Sequence, residues 1–378
     1  MEQQRLIVGE GKISGILSIF LATLSLLGIL CFKFPEIFTT ADLREVYTAA
    51  LVEKLMFIAI AFSFAFSLLS FVLSKNKKYA VIGITLCAMA IFMGGFDVEG
   101  RSVEKVNWSI GLDWLILDLF LMVLIFTPIE LAFPKNKNQT KFHPEWRTDL
   151  IYFTVSHIFI QVFGILTQKP AVALFGAVNL DGVHAFIQSL PFVVELFLAL
   201  FISDVFQYWA HRIFHSNNYL WRFHAVHHST QHMDWLAGSR THFVDIFFTR
   251  AMSFIPIYAL GFSSLAFNVY IVVIAIHAVL IHANTSINFG VLKYIVSTPQ
   301  YHHWHHCEDP KYYGKNFAVF FPFIDKMFGT YYLPGKVWPE ATGLQEASFP
   351  KGFLKQAIYP FQKDPLSTDM AENKKSQR

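Results

Sequence analysis

Thirteen of the sixteen histidines in this chain fall within the 96 residues from His211 to His306. Most sit in three boxes: His211-Arg-Ile-Phe-His215, an HxxxH pattern, then His224-Ala-Val-His227-His228 and His302-His303-Trp304-His305-His306, each containing HxxHH. At about 3.6 residues per turn, positions i, i+3 and i+4 project from one side of a helix, so each box is expected to aim its imidazoles at one point. A solitary histidine in a helical protein is ordinarily a satisfied polar residue, and that reading suits His143, His157 and His184. It fails for the boxes. Protonated, the crowded rings would repel; neutral, they are the commonest metal ligands in proteins.

Counting donors extends the expectation from metal to two metals. The boxes supply His211, His215, His224, His227, His228, His302, His305 and His306, with His282 and His277 as further donors. One ion takes about four to six ligands. Cys31, Cys87 and Cys307 share no CxxC spacing, so neither a thiolate site nor a disulfide framework is expected. Calcium or magnesium would call for oxygen ligands. Iron and zinc remain, and spacing alone does not choose between them. Ferrous iron would activate O2 toward an apolar substrate, whereas zinc would activate water for hydrolysis. A zinc hydrolase should keep a carboxylate base nearby, and the nearest is Glu308, two residues past box three. A non-catalytic metal carrier should instead line its spans with histidine, yet the boxes fall just beyond the apolar stretches. No HExxH, GxSxG or Walker pattern offers another enzyme class.

The elements that must position these boxes are membrane helices. The 378 residues are 54% hydrophobic and 15% charged, with 41 phenylalanines and a mean hydropathy of +0.42. A span needs roughly 17 to 25 mostly apolar residues. Such stretches run from Ile13 to Phe34, which is too long for a cleaved signal segment, from Ala49 to Leu73, and from about Trp108 to Phe133, with a shorter one from Tyr79 to Met93. A fifth is expected at Leu150 to Leu166, then an interfacial stretch to Pro191, and a sixth span from Pro191 to Ala210 that delivers His211. Phe247 to Leu280 is expected to form a helical hairpin broken near Pro256 and Gly261, returning His277 and His282 to the box side. The net charge of +3 gives no argument for nucleic acid. The basic loops at residues 75 to 78 and 135 to 141 place those ends, and the boxes, in the cytoplasm by the positive-inside rule. The fold class expected is an all-α polytopic membrane bundle with a cytoplasmic, histidine-rich di-metal cap. Its parts are an N-terminal membrane region of about four spans at residues 1–144, a catalytic domain at 145–340, and a polar tail at 341–378. Residues 363–378, rich in lysine, are expected to be disordered.

The ordered series of boxes on such a chain resembles the fatty acid hydroxylase and sterol desaturase superfamily of membrane di-iron oxygenases. Further residues carry the resemblance: Asp204 and Tyr208-Trp209-Ala-His211-Arg212 entering box one, Ser239-Arg240-Thr-His242 after box two, and His282-Ala-Asn284. Thr298-Pro299-Gln-Tyr-His302 opens box three, and Tyr313-Gly314 with Asp325 to Tyr331 forms a closing segment. The likeness covers about residues 145 to 335. It implies two iron ions held by the eight box histidines and His282, with His277 as a tenth donor at an i+5 spacing, and O2 as oxidant in hydroxylation or desaturation of a lipid. It also implies an endoplasmic reticulum or bacterial inner membrane setting. Asp204, Asp245 and His242 are the candidate catalytic supports, the two carboxylates as orienting partners for imidazole N–H groups. Their alternative role is a helix-end ion pair with Arg212 or Arg240. His303 and His232 are expected to be structural or solvent-facing. The chain departs from the family pattern in its extra N-terminal spans and in Ile324, where a tryptophan is usual. With no flavin, nicotinamide or iron–sulfur fingerprint present, a ferredoxin or cytochrome b5-like electron donor is implied.

Overall fold

The structure, a computed structural model, describes residues 9–40, 43–44, 49–95, 109–175, 178, 180–345 and 349–362. The charged loop at 96–107 with its sequon at Asn107, and the lysine-rich tail from 363, lie outside the described residues. Helices dominate, and among the described residues the only β-pairing recorded is an isolated bridge between Cys307 and Thr342.

The chain divides into two compact units, Met1–Leu121 and Met122–Arg378. In the first, α1 (Lys12–Lys33) is followed by a four-residue turn of helix, α2 (Pro35–Phe38), and then by α3 (Ala49–Leu73) and α4 (Lys78–Phe92). Small residues let α1, α3 and α4 approach closely. Ser63 Oγ donates to the Ser18 carbonyl at 2.7 Å, and a Cβ on Gly83 would run into the hydroxyls of Ser18 and Ser67. Without water to drive association, such close packing and interhelical hydrogen bonds hold membrane helices together.

The second unit carries the boxes. It begins within α5 (Leu112–Ala132) and continues with α6 (Trp146–Phe175), α7 (Asp181–Ser189), α8 (Phe192–Ser216) and α9 (Asn218–His228). The helices α10 (Phe243–Leu260), α11 (Ser264–His282), α12 (Pro299–His305), α13 (Pro322–Met327) and α14 (Phe353–Ile358) complete it. Among the described residues, six helices are long and apolar enough to cross a membrane: α1, α3, α5, α8, α10 and α11.

Two expectations change. The stretch at Tyr79 to Met93 folds as the 15-residue α4, only about 22 Å long at 1.5 Å per residue, short of a bilayer core of about 30 Å. The expected fifth span falls within a 30-residue helix, α6, whose stretch from Leu150 to Thr167 carries no Asp, Glu, Lys or Arg. The hairpin breaks at one place rather than two. Pro256 sits inside α10, whereas Gly261, at φ 73°, ends it in the left-handed conformation that glycine adopts freely. Ser263 then caps α11 through its hydroxyl, and both arms of the hairpin are of membrane length.

Candidate metal centre

Box one lies on the last turns of the membrane-length helix α8, so the helix does not stop at Ala210 but carries both histidines. Asn217 then turns the chain. Its side chain accepts from the backbone N–H groups of Tyr219 and Leu220 at 2.9 and 3.1 Å and starts α9, satisfying two amides that helix geometry leaves without partners. Thr298 caps α12 by accepting from the single amide of Tyr301 at 3.3 Å, with Pro299 at the first helical position.

The imidazoles sort into two groups. His211, His215, His224, His228 and His305 place one ring nitrogen each within 4.8 Å of the others, and so do His227, His282, His302 and His306. All nine are buried. The expectation that each box aims at a single point is therefore corrected. In box two, His224 and His228 serve the five-histidine group while His227 turns to the other. In box three, His302 and His306 serve the four-histidine group while His305 crosses to the first. The reason lies in helix geometry: i and i+4 differ by about 40° around the axis, whereas i+3 and i+4 differ by about 100°. Two facing sites exploit that divergence, and the His228 and His306 rings stack between them at 4.4 Å.

What suits these groups to a metal is where their protons go. The Nδ1 of His211 donates to the Phe317 carbonyl at 2.8 Å, that of His227 to Arg240 at 3.0 Å, that of His282 to Ala278 at 2.6 Å and that of His305 to Lys315 at 2.8 Å. His224 Nδ1 meets the Asp245 carboxylate at 2.6 Å. A carbonyl oxygen only accepts, so the proton of each of these neutral rings sits on Nδ1 and a bare lone pair remains on Nε2. Those lone pairs face one another: His211 and His224 Nε2 are 2.9 Å apart, and His227 and His282 Nε2 are 3.3 Å apart. Protonation is opposed by burial and by the neighbouring rings, which hold His227, His228, His302 and His306 well below the ordinary histidine range, and burial pushes His305 down to about 3. Buried Nε2 atoms of His228 and His305 make no hydrogen bond among the described residues. Facing lone pairs kept neutral in a dry interior are stabilised by a cation, and the all-nitrogen donor set fits a transition metal.

The remaining sequence candidates divide. Asp245 lies against His224 Nδ1, and among the described residues no ion pair joins it to an arginine. Among the described residues, Asp204 makes no hydrogen bond to an imidazole. It accepts from the backbone N–H groups of Val319, Phe320 and Phe321 at 2.6 to 3.1 Å, and so fixes the segment whose Phe317 carbonyl orients His211. His242 lies outside both groups; it caps α10 and its Nε2 bonds to the Ala357 carbonyl at 3.1 Å. His277 is also outside, with its Nε2 3.1 Å from the Val319 carbonyl. Five residues turn a helix by about 140° relative to His282, so the two rings leave α11 on different sides. Arg240 pairs with Asp149 and Glu145 instead of with either candidate carboxylate. His303 lies outside both groups, buried against Trp338 with Nε2 at 3.3 Å from the His282 carbonyl.

Sequence reasoning missed Asp325 as a supporting residue. Its carboxylate accepts from Phe317 N, Ala318 N, the Tyr301 hydroxyl and the Thr330 hydroxyl at 2.5 to 2.8 Å. The available signal was its place in the closing segment. The neighbouring Ile324, which departs from the family pattern, is fully buried in the core beside Phe317 and Phe321.

Buried all-histidine groups suited to metal, beside membrane-length helices, define the class as an integral membrane protein with candidate metal sites. Comparison with known proteins narrows the class. A family model described as fatty acid hydroxylase matches residues 196–330. The ornithine lipid hydroxylase OlsE of Rhizobium tropici is 31% identical over 296 residues, 76% of this chain and 86% of that protein. Alkylglycerol monooxygenase of Danio rerio is 33% identical over 134 residues, 35% of this chain and 30% of that protein, and methylsterol monooxygenase 1-2 of Arabidopsis thaliana is 25% identical over 236 residues, 57% and 76%. No solved structure matches the chain. The chain belongs to the fatty acid hydroxylase family, membrane oxidoreductases of lipids that use non-haem iron.

Proposed function

We propose that the five-histidine and four-histidine groups each hold one iron ion, and that the protein uses O2 to hydroxylate the hydrocarbon part of a membrane lipid. The observation that carries this is the pair of convergent Nε2 sets whose Nδ1 protons are already committed outward. Iron bound there supplies reductive activation of O2, with one oxygen atom placed in a C–H bond and the other leaving as water. The balance needs two electrons and two protons from outside, and a ferredoxin or cytochrome b5-like carrier is the donor class proposed.

The protein's own residues do the rest. Asp245, through His224, sets the tautomer and raises the basicity of a ligand in the five-histidine group. Asp204 and Asp325 clamp residues 317–321, and the clamped Phe317 carbonyl holds His211 in register. The membrane-length helices α8, α10 and α11 give a lipid tail access to the centre without crossing water. Hydroxylation is favoured over desaturation by the names of the three relatives above, and a polar-headed membrane lipid is favoured as substrate by the relative named for ornithine lipid, which aligns over most of both chains. Both groups consist of histidine alone, which supports oxygen chemistry over a zinc hydrolase with a carboxylate base. A cytoplasmic placement of the boxes draws support from the basic loop after α5, since Asn136 N donates to the Asn284 side chain at 2.8 Å, two residues past His282.

Lipid profiling under isotopically heavy O2 tests the proposal. Cells carrying the gene should contain a lipid bearing one heavy oxygen that deletion cells lack, and His305→Ala should abolish it. A product labelled from water instead, or none in any lipid class, overturns it.

A further inference from the structure

The boxes leave one thing unexplained: two ligands of the four-histidine group are placed by a segment that contributes no ligand. Asp234 starts that segment by accepting at Oδ1 from Leu236 N and Ala237 N at 3.1 and 3.0 Å, folding the short helical turn Ala237–Ser239. Gly238 then lies flat against the ring of His282. A Cβ there would stand 2.9 Å from His282 Nδ1 and 3.0 Å from its Cγ. The ring has little freedom to yield, because that same Nδ1 donates to Ala278 at 2.6 Å. Two residues on, the Arg240 carbonyl accepts the Nδ1 proton of His227 at 3.0 Å.

The turn is anchored from outside the boxes. The Arg240 side chain, 1% exposed, is gripped by Asp149 Oδ1 at 2.5 Å and Glu145 Oε2 at 2.7 Å, both at the start of α6. Glu130 Oε1 accepts from Trp235 N and Asn284 N at 2.8 and 2.9 Å, tying the turn to the chain just past His282. The five-histidine group takes its orienting contacts elsewhere, from Phe317, Lys315 and Asp245.

We propose that residues 234–240 form a positioning turn for the four-histidine site alone, so that the two metal sites load separably. The five-histidine site takes its ion whether or not the turn is docked; the four-histidine site takes its ion only when Gly238 and Arg240 hold His282 and His227. Gly238, Arg240 and Asp149 are thereby positioning residues, and the inference rests on the two-metal reading above.

Ferrous iron titrated anaerobically into the purified full-length protein, with bound iron counted, tests both levels. Wild type should bind two irons per chain and Gly238→Ala one, with air oxidation giving the EPR signal of an isolated ferric ion in place of a coupled pair. Arg240→Lys, which keeps the cation but loses the two-pronged grip, should weaken the second iron about 10- to 100-fold and leave the first unchanged. It also decides the matter if Gly238→Ala does not fold. Variants that bind both irons as wild type does, or that lose both together, overturn the positioning turn while leaving the two-metal reading intact. Fewer than two irons in wild type overturns both.

Discussion

A neutral imidazole has one proton to place, and at this centre its placement decides what the opposite nitrogen can do. His224 shows the strongest form, since its outward partner is a carboxylate at 2.6 Å. Asp245→Ala should therefore weaken iron binding at the five-histidine site by about 10- to 100-fold, measured by competition with a chelator. His277 and His282 make a sharper comparison. His282→Ala should cost one iron per chain, whereas His277→Ala should keep both, because its ring serves the Val319 carbonyl. At this scale the boxes were legible because i, i+4 pairing is a local property of one helix. The crossing of His227 and His305 to the opposite groups was not, since it requires knowing that two sites face one another. The exclusion of His277 was legible in principle from its i+5 spacing, and family likeness outweighed the angle.

Two kinds of element hold the boxes in place. The segment 317–321 is not a regular element, yet two buried carboxylates saturate its amides. Asp204→Ala would strand the N–H groups of Val319, Phe320 and Phe321, and since a hydrogen bond to a charged group contributes about 1.5–3 kcal/mol, a loss on the order of 3 kcal/mol or more is expected in thermal unfolding. The start of α6 supplies the other support. Burial alone would lower the His143 pKa, but Asp149 and Asp234, each 3.3 Å from its Nε2, outweigh it and push it up to about 9 from an ordinary 6.5. A raised folded-state value means the contribution is fully present below pH 6.5 and is lost as pH rises through 9. The melting temperature should fall between pH 7 and 10, and His143→Gln should flatten that fall; an unchanged slope in the variant would show the pair to be irrelevant. Helices were readable from apolar runs and caps such as Asn217 and Thr298. The role of Asp325 was not, because its partners come from the Tyr301 side chain and a loop folded back upon it.

For the molecule as a whole, metal and fold are linked. Nine buried imidazoles, including lone pairs facing at 2.9 and 3.3 Å, would be relieved by bound cations, and a ligand that binds the folded chain alone stabilises it by an amount that grows with the logarithm of its affinity. Chelation should lower the melting temperature, and restoring ferrous iron should recover it. The membrane class was legible from composition, yet composition did not separate α4 from the membrane-length helices, because its length of 15 residues decides that. The most direct test of the central claim is iron counting together with Mössbauer spectroscopy on protein purified from iron-replete cells. Two irons per chain in a coupled pair, reduced to a single uncoupled iron in His282→Ala, is the result this account predicts. One iron per chain, or stoichiometric zinc with no O2 uptake in the presence of reductant, would contradict it.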